Sequence, residues 1–139
     1  MSTELLNAMK ISAAGMQAQG TRIRVVTENV ANSNTTGTTP GSAPYRRQTI
    51  TFDNEMDRAL GVKKVGVDKI GVDTQTPFPV KYIPEHPAAN AAGYVKMPNV
   101  TTMVEMMDIR EAQRSYEANL GMIETARGMV NRTIDLLRN

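Results

Sequence analysis

Cysteine and tryptophan are absent from this chain of 139 residues, phenylalanine occurs twice and histidine once. Without cysteine there is no disulfide framework, no thiol nucleophile and no thiolate zinc site, and the redox compartment is left open. The single histidine, His86, sits in Pro84-Glu85-His86-Pro87, a segment stiffened on both sides. A general base needs an orienting acid and a nucleophile, and a metal ligand needs companions, so His86 reads as a structural loop residue. Asp53-Asn54-Glu55-Met56-Asp57 opens like a calcium loop. Arg58 stands where the sixth-position glycine belongs and Lys64 where the closing glutamate belongs, so the loop fails. There is no phosphate-binding loop and no dinucleotide fingerprint. The chain has no parts for an enzyme, and no cofactor or metal is expected.

Charge of one sign is also missing. Sixteen Lys and Arg against 14 Asp and Glu give a net charge of +2, and the only basic runs are the pairs Arg46-Arg47 and Lys63-Lys64. Neither pair is interleaved with stacking aromatics, which disfavours nucleic-acid binding. No apolar run approaches the roughly 20 residues of a membrane span. The opening Met-Ser-Thr-Glu carries an acid and leads into an amphipathic pattern, unlike a cleaved secretory signal. Any export is therefore expected to use another route.

What the chain does have is apolar periodicity at both ends. Leu6, Met9, Ala13, Met16, Gly20, Ile23 and Val30 fall at alternating steps of three and four, with Thr27 in the gap. Ile109, Tyr116, Ile123, Val130 and Leu137 recur every seven residues, flanked by Leu120, Met122, Met129, Ile134 and Leu136. Such spacing lines one face of a helix and favours supercoiling against a partner helix. Ile11, Ala14, Ala18 and Val25 lie on the opposite face of the first helix, so neighbours are expected on both faces. Gly15 and Gly20 cost about 1 kcal/mol each relative to alanine inside a helix. Close helix approach, or a helix that forms only when packed, accounts for them. Ten methionines make an adaptable interaction surface, and an isolated monomer is expected to be marginal, with fluctuating ends.

Ser2 or Thr3 is the expected cap of the first helix, which ends near Val30. Asn29 and Asn32 stand at its exit, where asparagine caps backbone groups or tolerates left-handed torsions; they either end this helix or bond to a neighbouring subunit. Residues 32–44 are turn-rich. Tyr45 to Phe52 alternates like a strand. Lys64-Val65-Gly66-Val67-Asp68 and Lys69-Ile70-Gly71-Val72-Asp73 read as two short strands with a turn or bulge between them. Phe78 to Ile83 adds a third. Arg46 and Arg47 are a solvated edge pair or meet acids on a neighbour. Asn99, or Thr102 with Glu105 in a capping box, begins the last helix. The fold class is mainly α with a small β element: paired coiled-coil-like terminal helices (1–33 and 99–139) and a short-stranded β-rich insertion (34–98). In the loop 84–99, Gly93-Tyr94-Val95 are expected to pack near the base of the last helix, with Tyr94 the anchor where the outer element meets the helices or a neighbouring subunit.

Three segments together resemble one family. Ile11-Ser12-Ala13-Ala14-Gly15-Met16 with Ala18-Gln19, then Asn29-Val30-Ala31-Asn32 and Pro44-Tyr45-Arg46-Arg47, look like the N-terminal signature of bacterial flagellar rod and hook proteins. Glu111-Ala112-Gln113-Arg114-Ser115-Tyr116-Glu117-Ala118-Asn119 looks like their C-terminal signature. His86-Pro87-Ala88-Ala89-Asn90-Ala91-Ala92-Gly93-Tyr94-Val95 with Pro98-Asn99-Val100 is similar to a proximal-rod member. Ala88 departs from the acidic residue usual there, which removes any role for that carboxylate. The resemblance implies a subunit of a hollow, torque-transmitting tube in the periplasmic space, with an inner domain of paired terminal helices. It implies uncleaved passage through the flagellar type III export gate. Its implied neighbours are copies of itself and the rod proteins FlgB, FliE and FlgF. A helical adaptor or chaperone-like protein that binds a partner's amphipathic helix is the competing reading of the same stripes. A membrane-active helix is disfavoured because neither helix has a strongly basic polar face.

Overall fold

The computed structural model describes residues 2–138. Helix α1 (Ser2–Ala31) and helix α2 (Thr102–Arg138) enclose in sequence the strands β1 (Gln48–Asp57), β2 (Val62–Val72), β3 (Val80–Tyr82) and β4 (Tyr94–Lys96). The terminal helices pack together, and the insertion forms two antiparallel two-stranded sheets, β1-β2 and β3-β4. The chain is mainly α with a small β element. Ser2 and Thr3 both lie within α1.

Two compact units divide the contacts, each drawing on both helices and on the insertion. The first comprises Met1–Ile23, Thr51–Lys69 and Arg110–Asn139. Here Gly15 faces Asn119 and Arg22 pairs with Glu111 at 3.5 Å, so residues advancing along α1 meet residues receding along α2. The helices are antiparallel. Their shared face is lined by small residues: Ser12, Gly15 and Ala18 on α1, Ala112 and Ala126 on α2 are all buried. A Cβ built on Gly15 would lie 2.9 Å from Asn119 Nδ2, which confirms close approach as the reason for this glycine. Gly20 has nothing within 4 Å of the same position, so close approach to its own chain does not explain it.

In the same unit the hairpin turn after Asp57 is built locally. The Asp57 carbonyl accepts from the Gly61 N–H at 2.8 Å, and its carboxylate accepts from the Ala59 N–H at 3.1 Å. Gly61 takes φ 65°, where a side chain would be strained. Lys64 closes the turn with a 2.9 Å ion pair to Asp57. The two Val-Gly repeats do not form separate strands. Val62–Val72 is one continuous strand paired with β1, and neither Gly66 nor Gly71 takes a positive φ.

The second unit comprises Arg24–Ile50 and Ile70–Ile109. Val80, Lys81 and Tyr82 pair with Lys96, Val95 and Tyr94. Val95 is fully buried, whereas Tyr94 on the opposite face is 47% exposed and meets Tyr82 edge-on at 5.3 Å. The residue that anchors this segment within the chain is thus Val95 and not Tyr94. Alternation along the strand puts only one of these neighbours inside. Gly93 takes φ 83°, and a Cβ there would come within 2.7 Å of the Tyr82 ring.

Candidate assembly interface

The signature residues after α1 meet in the second unit around one buried amide. Asn29, 1% exposed, uses its whole hydrogen-bonding capacity. Its Nδ2 donates to the Gln48 carbonyl at 2.9 Å and to Glu105 Oε2 at 3.0 Å. Its Oδ1 accepts from the Gln48 N–H at 2.8 Å and from the Tyr45 hydroxyl at 2.9 Å. The other Glu105 oxygen accepts from Arg47 Nε at 2.5 Å, and the same guanidinium lies 3.9 Å from Asp108. Asn99 completes the frame. Its Oδ1 accepts from the Arg47 N–H, and its Nδ2 donates to the Asp73 and Thr76 carbonyls at 3.2 Å. Two asparagine side chains thus serve the Arg47 N–H and both backbone groups of Gln48, while the Arg47 carbonyl accepts from the Asp73 N–H at 2.8 Å.

Several expectations change here. Asn29 neither ends α1 nor retains a donor or acceptor for another subunit. Asn32 does the local work, donating to the Glu28 carbonyl at 2.9 Å, and it caps without left-handed torsions. Arg46 and Arg47 are not simply a solvated pair, since both have partners within the chain. Arg47 binds Glu105, and Arg46 donates to the Asp73 carbonyl at 2.9 Å while lying 4.3 Å over the Phe78 ring. Glu105 is not half of a capping box with Thr102, and Asn99 is not a cap; the Thr101 carbonyl starts α2, accepting from Val104 and Glu105. His86 is a loop histidine. Its Nδ1 accepts from the Ala88 N–H at 3.1 Å and its Nε2 lies 3.2 Å from the Thr36 hydroxyl. No group of metal-ligating side chains occurs among the described residues.

Burial raises the Tyr45 pKa, with Glu28 and Glu105 adding to it. The Asp73 carboxyl is held below its ordinary value, chiefly by the backbone and side chain of Thr76, and Asp57 likewise by Lys64. Groups with depressed folded-state pKa values stabilise the fold above the unfolded aspartate value, and this contribution fades as pH falls through the folded value. The urea midpoint is therefore expected to be flat from neutral pH to about pH 4 and to fall below it. Asp57→Asn with Asp73→Asn should flatten that descent; an unchanged curve would show that other carboxylates set it.

The large apolar columns lie elsewhere. Leu6 is exposed, Met9, Met16, Ile23 and Val30 are half-buried, and the shared face belongs to the small residues described above. Ile109, Ile123 and Val130 are half-buried, Tyr116 is exposed and Leu137 more so. The column beside them, Met122, Met129 and Leu136, is open along α2 at 55%, 48% and 80% exposure. Its seven-residue spacing was visible in the sequence, where these residues counted only as flanks. On α2 they flank the face that Ala112, Asn119 and Ala126 turn toward α1.

Residues 9–38 match the family described as flagella basal body rod protein, and residues 91–136 match flagellar basal body rod FlgEFG protein C-terminal. The flagellar basal-body rod protein FlgC of Agrobacterium fabrum is 52% identical over 131 residues, covering 94% of each chain. The FlgC of Salmonella typhimurium is 38% identical over 133 residues, 95% of this chain and 97% of that one. That of Borreliella burgdorferi is 31% identical, covering 96% and 98%. Signature residues, antiparallel terminal helices and end-to-end similarity agree: the chain belongs to the FlgC family of flagellar basal-body rod proteins.

Proposed function

We propose that this chain, a structural subunit of the flagellar basal-body rod and not an enzyme, builds the proximal rod through its terminal helices as part of a hollow, torque-transmitting axial tube. Residues 1–33 and 99–139 make the inner, tube-forming domain and residues 34–98 the outer element. The observation that carries this reading is the open column Met122, Met129 and Leu136. Large apolar side chains stay in water while the helices meet each other through alanine, serine and glycine. Contiguous exposed apolar surface of this kind marks an interaction site. Leu6, Met9, Met16, Ile23 and Val30 on α1, and Ile109, Tyr116, Ile123, Val130 and Leu137 on α2, belong to the same assembly faces. They meet copies of this chain and the rod proteins FlgB, FliE and FlgF. The subunit reaches the periplasmic rod through the flagellar type III export gate without a cleaved signal. Immunogold labelling of purified basal bodies tests the placement: gold on the rod below the outer rings is expected, and label confined to the cytoplasm would contradict it.

The exposed Tyr82 and Tyr94 pair is an outer contact in the same scheme. Tyr94→Ala is expected to shrink swimming zones at normal export levels. Unchanged swimming, with rods as resistant to acid dissociation as the parent's, would remove Tyr94 from the interface.

A further inference from the structure

The first unit carries a cleft and, on another surface, side chains of a size to fill it. Two adjoining cavities, of about 290 and 440 Å³, lie between α1 and the β1-β2 hairpin and share Ala14, Gln17 and Lys64 in their walls. Ala18 of α1 and Val65, Gly66 and Val67 of β2 complete the apolar wall of the smaller one, and Glu55 of β1 stands in it as well. Lys10 lines only the larger. Gly66 is the informative member. It lies inside a strand without a positive φ, so its torsions do not call for glycine. A Cβ there would meet only the Glu55 carboxylate, at 3.6 Å, so its own chain leaves room for a side chain. Glycine weakens a strand interior, and where neither torsion nor crowding explains it, it marks the close approach of another chain.

On α2, Met122 and Met129 are 55% and 48% exposed, and seven helical residues set them about 10 Å apart along the axis. A cavity of about 150 Å³ admits a benzene ring, so each of the two cavities admits a methionine side chain. Charge agrees with the fit. Arg132 neighbours Met129 at i+3, and neither Arg132 nor Glu55 has an ion pair among the described residues, whereas Lys64 and Asp57 hold each other at 2.9 Å. We propose that the cleft receives α2 of a second copy of this chain, with Met129 entering beside Glu55, Met122 entering the larger cavity and Arg132 pairing with Glu55. No residue of α2 lines either cavity, so knobs and cleft lie on different surfaces of one copy. Each copy therefore gives its column to one neighbour and its cleft to another, a heterologous contact that continues as a ring or helix and does not close on a dimer. This contact rests on the assembly reading above and supplies the surface that covers the open column.

The chain has no cysteine of its own, so introduced thiols report the contact directly. Cells making one copy with Val67→Cys and another with Met129→Cys, both at exposed positions, are treated with a mild oxidant before basal bodies are purified. A mixed disulfide dimer is expected, since bridging needs Cα atoms within about 7 Å. None is expected from Met56→Cys with Met129→Cys, because Met56 lines neither cavity. Gly66→Phe, which fills the cleft from the hairpin side, should leave the chain folded and exported and abolish swimming. Glu55→Arg and Arg132→Glu should each reduce swimming, and together restore it. Rods that hold both cysteine chains without the mixed dimer would overturn the contact and leave the subunit's place in the rod intact. Swimming by Gly66→Phe at the parental rate, or no recovery in the reversed pair, would count equally against it. Rods that lack the parent chain altogether would remove the assembly reading, and this contact with it.

Discussion

Arg47→Met alone is expected to lower the stability of the second unit by about 3 kcal/mol, the low end of the range for removing one partner from a buried ion pair. Glu105 is fully buried and keeps only the Asn29 amide when the guanidinium is gone, whereas Arg47 is 26% exposed in the pair, so water offsets part of the loss. Arg46→Met is the control beside it. Arg46 gives one hydrogen bond to the Asp73 carbonyl and lies over Phe78, and its loss should cost about 1 kcal/mol. Urea denaturation of both variants followed by circular dichroism checks the difference. Equal midpoints would mean that the carboxylate is not held by Arg47, and the polar cluster would lose its place as the centre of this unit.

Met122→Asp with Met129→Asp is expected to abolish rods and swimming while leaving the chain folded and exported. The two side chains are about half exposed in the isolated chain, at 55% and 48%, so a carboxylate there stays hydrated and stability should change by no more than about 1 kcal/mol for the pair. Once a neighbouring helix covers them, two carboxylates without partners cost several kcal/mol per interface. Ile123, central in the column first singled out by its spacing, is a poorer probe. It is half-buried within its own chain, and an aspartate there would confuse folding with assembly. Swimming by the double variant, with rods of normal length in micrographs, would place this column outside the tube contacts.

The two helices, the small β element and their family were legible because periodicity and the signature segments are local properties of the chain. The seam between the helices was not. Reading by hydrophobicity assigned it to Leu6, Met9, Met16 and Ile23, while the fold brings Ser12, Gly15 and Ala18 to Ala112, Asn119 and Ala126. A subunit whose bulky residues are kept for neighbours joins its own helices through its small ones. Gly15 was the clue in the sequence, since a costly glycine inside a helix marks close approach. Glu105 was missed for a different reason. Its partners Asn29 and Arg47 lie 76 and 58 residues away, and its spacing from Thr102 fits a capping box. The continuous strand β2 was split in expectation at its glycines, because a facing strand that overrides their low strand propensity is a tertiary effect.

Peroxide footprinting read by mass spectrometry compares the free chain with purified basal bodies and addresses the central claim, that the open column of α2 is covered when the rod forms. Met122 and Met129 are expected to oxidise readily in the free chain and to be protected about tenfold or more in the rod, with Met56, 52% exposed on β1, as the internal reference. Oxidation of Met122 and Met129 at the same rate in both states would contradict the account, because the apolar face on which it rests would then remain in water after assembly.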